Sequence, residues 1–167
     1  EDRQAVLKQL ARSGQLDDAI RDLQQRVAAD PQSVQNLVAL GEADLKKRLE
    51  TDDIRDVAIS AMQADQLFDK VLEIDPNDWE ARFEKAAAMA NWPLELKQGP
   101  KVLDQFQTLI QQQNSEPSQP DFALTYLRFG DFYQKTGDTA AAAQTWQQGA
   151  ALFPGNSDLQ SRLSHAP

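Results

Sequence analysis

The stretch Tyr126-Leu127-Arg128-Phe129-Gly130-Asp131-Phe132-Tyr133, continued by Lys135-Thr136-Gly137-Asp138 and Ala142-Ala143-Gln144-Thr145-Trp146 and closed by Pro154, decides the fold. Gly130 and Ala142 are small residues in the middle of two apolar, helix-forming segments. Two helices can approach closely only where side chains are small, and Tyr126, Phe129, Tyr133 and Trp146 supply the bulk around such a contact. Gly137 can adopt the left-handed conformation that ends a first helix, and Pro154 cannot continue a second. The segment therefore predicts an antiparallel helix pair with a tight turn at Gly137-Asp138.

The same spacing recurs upstream. The offsets Gly14–Ala19–Pro31 equal Gly137–Ala142–Pro154. A further unit opens with Leu37-x-x-Leu40-Gly41 and closes with Ala64-x-x-x-Phe68 and Asp75-Pro76, but 23 residues separate Gly41 from Ala64 where 12 separate Gly130 from Ala142. This unit thus carries eleven extra residues between its helices. Another begins with Trp79-Glu80-Ala81-Arg82-Phe83 and the small Ala86, and continues in a helix from about Pro100 to Gln112. Repetition at a period of about 34 residues is the mark of stacked supersecondary units.

These motifs, W-x-x-L-G-x-x-Y then A-x-x-x-F then P in idealised form, make the chain resemble the tetratricopeptide repeat family over nearly its whole length. The resemblance implies an all-α fold, a right-handed superhelix of antiparallel helix pairs, whose concave face takes a peptide or a helix of a partner. It places units at about 1–33, 34–78 with the insertion, 79–119 without the usual Gly-Asp turn, and 120–156. A capping helix is expected at 157–165, beginning near Asp158 with Leu159 and Leu163 as its apolar stripe. The family hosts many functions on one scaffold, so function has to come from the residues that line the concave face.

Composition agrees with a helical chain. Its 167 residues contain no apolar run near the roughly 18 needed to span a bilayer. The expectation is a soluble protein of the cytoplasm or periplasm, with a lean to the bacterial cell envelope and no direct membrane insertion. Cysteine is absent, which removes disulfides, thiolate metal sites and thiol nucleophiles. The first residue is Glu1, as in a processed product or an excised piece of a longer protein, and no signal peptide is visible. Residues 1–80 hold 18 acids against 10 bases, whereas 81–167 hold 8 against 7, so nearly all of the net charge of −9 falls on the first half. Phosphate backbones repel such a chain, and no nucleic-acid partner is expected. The acidity reads either as attraction for a basic partner or as solvation of helix starts such as Asp17, Asp18, Asp52, Asp53 and Asp138.

The eleven extra residues read as a lengthened second helix. Thr51-Asp52-Asp53 has the composition of an N-cap, and Ile54, Val57, Ala58, Ala61, Phe68, Val71 and Leu72 follow at three- and four-residue spacing. The added turns either project as a partner or self-association surface or, on the favoured reading, pack against the irregular third unit. There, Asn91-Trp92-Pro93 ends a helix at about Asn91, because a residue before proline avoids the helical region. Trp92 is either a ligand anchor or a plug that seats the loop.

No catalytic or cofactor motif is present, and no metal-binding one. His165, the single histidine, stands next to the C-terminus, where a general base would be poorly held. No enzyme activity and no cofactor are expected. The resemblance, carried through the matched small residues, assigns the partner-binding groove to Gln35, Val38 and Glu42, then Glu80, Phe83 and Ala87, then Leu124, Leu127, Asp131 and Lys135, with Gln4, Lys8 and Arg12 in the first unit. Chaperone-adaptor members of the family grip a carboxylate with Lys, Arg and Asn, whereas these units offer Glu and apolar residues. The groove is therefore expected to suit an extended peptide or helix with apolar anchors, and Phe83 and Leu127 are expected to stand open until a partner covers them. A homo-oligomeric structural module is the alternative.

Overall fold

A computed structural model describes residues 3–50 and 53–164. Among these there are nine α-helices and no strand: α1 (Arg3–Ser13), α2 (Leu16–Ala29), α3 (Val34–Lys47), α4 (Ile54–Ile74), α5 (Trp79–Ala90), α6 (Gly99–Asn114), α7 (Ala123–Lys135), α8 (Thr139–Leu152) and α9 (Ser157–Ser164). Short 3-10 turns fill Arg48–Glu50, Leu94–Leu96 and Pro120–Phe122. The chain divides into two compact units, residues 1–88 and 89–167, with the boundary inside α5.

Helix ends follow local chemistry. Gly14 and Gly137 take φ of +71° and +88°, which a side chain would resist. Ser33 and Asp138 accept from the amides of Asn36 and Ala141, and Asp53 accepts from Arg55 and Asp56, so each satisfies otherwise orphaned donors at a helix start. The last helix, α9, starts at Ser157. Thr51, Asp52 and His165 lie outside the described residues.

In the second unit, α7 and α8 form the pair expected from the opening stretch. A Cβ built on Gly130 would overlap the indole of Trp146, and one on Gly149 would come within 3.0 Å of the Tyr126 ring. Contacts that run backward along α7 as they run forward along α8 require the helices to be antiparallel. Trp146 is fully buried, donates its indole N–H to the Leu127 carbonyl at 3.3 Å, and packs with Ala123, Tyr126, Ala142 and Leu159. On α6, Val102, Phe106 and Leu109 are buried, and Phe106 stacks on Phe129 of α7 at 5.1 Å.

In the first unit, Leu37, Val38 and Leu40 of α3 meet Ala64, Leu67, Phe68 and Val71 of α4, with Ala81 of α5 against them. Phe68 lies over Gly41, where a Cβ would come to 2.7 Å from its ring. Lys85 of α5 bridges Asp65 and Asp69 of α4 at 2.9 and 2.7 Å. The insertion does lengthen α4, to 21 residues starting after Asp53. Packing of the added turns against the third unit is corrected: Ile54 is 85 % exposed, and Ala58, Ile59 and Met62 are exposed with it. The cause is length. From the Gly41–Phe68 crossing, α3 runs only to Lys47, whereas α4 reaches back to Ile54, so at about 1.5 Å per residue its first turns outrun their partner.

Candidate partner-binding face

In the first unit the side chains of α1, α3 and α5 meet in an ionic cluster. Arg3 places one guanidinium nitrogen 3.1 Å from both the Glu42 and the Glu80 carboxylates. The Gln4 amide donates to the other oxygen of Glu42 at 2.9 Å. Glu42 is 4 % exposed. Burial pushes its carboxyl above the ordinary range, and the charge and hydrogen bonds of Arg3 and Gln4 oppose that rise. Arg3 is held above its usual value, because the two carboxylates outweigh the cost of its own burial. Glu80 remains half open to solvent at the edge of the cluster.

The groove positions assigned from the sequence do not share one environment. Glu42 and Glu80 are brought together by Arg3, whereas Gln35 is exposed with no role in this cluster. Ala87 is half-buried. Val38 belongs to the α3–α4 core. Phe83 and Leu127 are not open: they are 8 % and 5 % exposed. Phe83 stacks on Trp79 one turn earlier, with ring centroids 4.9 Å apart and planes within 7°, and Leu127 belongs to the α7–α8 core. These aromatic and aliphatic groups find apolar neighbours within the fold, which is why no partner is needed to cover them.

In the second unit Leu124 packs half-buried beside that same core. Asp131 is engaged by Arg162 of α9, which donates from Nε at 2.7 Å and from a terminal nitrogen at 3.2 Å. The fork-shaped contact ties the capping helix to α7. Lys135 donates from Nζ to the carbonyls of Ala90 and Trp92, at 2.8 and 2.9 Å. A cation there meets the negative end of α5 and fixes the Trp92 loop, where Trp92 is half-buried. Sequence reasoning missed Arg3, Arg162 and the duty of Lys135. Local spacing carries no trace of bonds spanning 31 to 77 residues, although Gln4, Glu42 and Glu80 had been placed on first-helix faces.

A comparison with protein-family models gave no match, and neither did a sequence comparison with curated proteins. Solved structures do match. TTC0263, a thermophilic TPR protein of Thermus thermophilus, superposes with a TM-score of 0.78 at 15 % identity, over 98 % of this chain and 79 % of that one. The fold is that of a tetratricopeptide-repeat protein. MamA matches with a TM-score of 0.67 at 19 % identity, over 96 % of this chain and 82 % of its own. A form of MamA from Desulfovibrio magneticus RS-1, residue 41 to the end, gives 0.65 at 20 % over 98 % and 82 %. No described helix is long and apolar enough to cross a membrane. Among the described residues no group of three or more His, Cys, Asp or Glu could hold a metal ion.

Proposed function

We propose that the chain is an adaptor that binds an extended peptide or a helix of another protein along its first-helix faces, in a bacterial assembly or maturation pathway. The helix pairs are read as repeat units at about 1–33, 34–78, 79–119 and 120–156, with a cap at 157–165. The observation that supports the reading is the cluster in which α1, α3 and α5 aim Arg3, Gln4, Glu42 and Glu80 at one point and leave Glu80 half open. Polar groups converging from three successive first helices form a recognition edge that a partner can enter by competing for Arg3 or by donating to Glu80. The exposed positions Gln35 and Lys135 flank contacts within their own units, while Val38, Glu42, Phe83 and Leu127 set the face from beneath.

A photo-crosslinking residue at Gln35, compared with one at the exposed Gln25 of α2, tests this reading. Cross-links to a second protein that form at Gln35 and fall several-fold in Glu80→Lys are expected. Equal yields at the two positions would remove the first-helix face as the binding face.

A self-associating module is the second reading. The exposed Leu49, Ile54, Ile59 and Met62 around the start of α4 support it. Light scattering of the purified chain over a range of concentrations separates the two.

A further inference from the structure

Asp44 lies on α3 two residues past Glu42, about 200° around the helix, and so belongs to a different face from the ionic cluster. It is 7 % exposed. No hydrogen bond or ion pair engages its carboxylate among the described residues, and burial alone raises its pKa to about 6. A charge so placed is costly unless something pairs with it.

Asp44 lines a cavity of about 180 Å³ within the first unit. Gln24 of α2 stands on one side and Gln63, Gln66 and Lys70 of α4 on the other, with Leu40 and Leu67 as the apolar part of the wall. The three glutamines are exposed, and their carboxamides add neutral acceptors to the anionic one. Lys70 is the other charged group of the lining, and among the described residues it makes no ion pair with Asp44, whose raised pKa has burial as its only cause. The cavity is smaller than the roughly 300–1,000 Å³ of pockets that enclose whole metabolites, and is of the size of one side-chain head.

We propose that this pocket is a binding site for the guanidinium head of an arginine side chain presented by a partner polypeptide. A guanidinium carries five N–H donors in a planar fork and no acceptor. Two donors match the Asp44 carboxylate, and the others face glutamine carbonyls. The weakly hydrated plane rests against Leu40 and Leu67. The acidic first half of the chain favours the approach of a basic segment. Lys70, on its long stem, is the resident competitor. The site is separate from the first-helix face, so it stands or falls independently of the reading above.

The test is a titration of the full chain with Nα-acetyl-arginine methylamide, followed by amide and methyl NMR shifts. At pH 7.5, saturable changes centred on Leu40, Leu67 and the side-chain amides of Gln24, Gln63 and Gln66 are expected. The neutral citrulline counterpart should give none. Asp44→Asn should weaken binding at least tenfold, as should lowering the pH to 5. Lys70→Met should strengthen it. Gln63→Ala with Gln66→Ala, both at exposed sites, should weaken it several-fold in a chain whose circular dichroism is unchanged. No saturable change, or undiminished binding in Asp44→Asn, would overturn the proposal. Free methylguanidinium binding as tightly as the blocked arginine would overturn the polypeptide source. Neither result bears on cross-linking at Gln35.

Discussion

The α3–α4 and α7–α8 pairs solve one packing problem with turns of different length. Each crosses where a first-helix glycine lies under a second-helix aromatic: Gly41 under Phe68, and Gly130 under Trp146. Four residues before each aromatic is a buried alanine, Ala64 or Ala142. Between the helices, however, one pair has a tight turn at Gly137, and the other has a 3-10 turn and two added helical turns. The crossing is therefore set by three residues, a bare glycine, an alanine and an aromatic, and not by the connection. An insertion is absorbed at the helix start, beyond the end of its neighbour, and its apolar residues remain exposed there.

If the two crossings are equivalent, deleting either aromatic should cost the same class of energy. Trp146→Ala and Phe68→Ala should each lower stability by about 3–5 kcal/mol, measured by urea denaturation at fixed pH. A cost below about 1 kcal/mol for Phe68→Ala alone would show that α4 is held by something other than this crossing.

The next effect separates the pairs, because α3 carries a buried lone carboxylate. Asp44 binds its proton more tightly in the folded chain, at about 6, than in the unfolded chain near the ordinary 3.8. Between those values the folded state holds more protons, so stability falls as pH rises through this window and remains lower above it. The shift corresponds to about 3 kcal/mol, since each unit is worth about 1.4. Asp44→Asn should therefore stabilise the chain at pH 7.5 by up to about 3 kcal/mol, and should flatten its stability between pH 4 and 6. Glu42, raised by burial too, contributes with the same sign and remains in the variant. An unchanged slope in Asp44→Asn would show that its carboxylate is solvated.

What the sequence made legible follows from range. Gly137, Asp138, Ala142 and Trp146 act on neighbours within one helix pair, and spacing alone places them. The length of α4 was likewise readable from Asp53 and the apolar period after it. The burial of Phe83 was not, because a residue two or three positions around a helix from the predicted seam can still be closed over by Trp79. Nor was the Arg3–Glu42–Glu80 cluster, which needs three helices in place before its charges meet.

The caps should show a smaller contrast. Asp138→Ala removes the bond to Ala141 at the helix turn that leads into the core, and should cost about 1 kcal/mol overall. Asp53→Ala removes the cap of turns that have no α3 beside them. Its effect should appear mainly as faster amide exchange over residues 54–60, with little change in the global transition. Equal global losses would mean that the overhanging turns are coupled to the core after all.

The smallest effect on stability belongs to the exposed end of α4. Ile54 makes so little contact that Ile54→Glu should change the unfolding free energy by no more than about 0.5 kcal/mol. The same substitution puts a charge among the exposed apolar residues around the start of α4, which include Leu49, Ile59 and Met62. Burying that charge against a second copy would be costly. Under the self-association reading, light scattering should find the wild-type mass rising above 18.7 kDa with concentration, while Ile54→Glu stays at 18.7 kDa throughout. A wild-type chain that remains at 18.7 kDa at every concentration removes that reading, and leaves the proposed first-helix face and the proposed Asp44 pocket to be tested by cross-linking and titration.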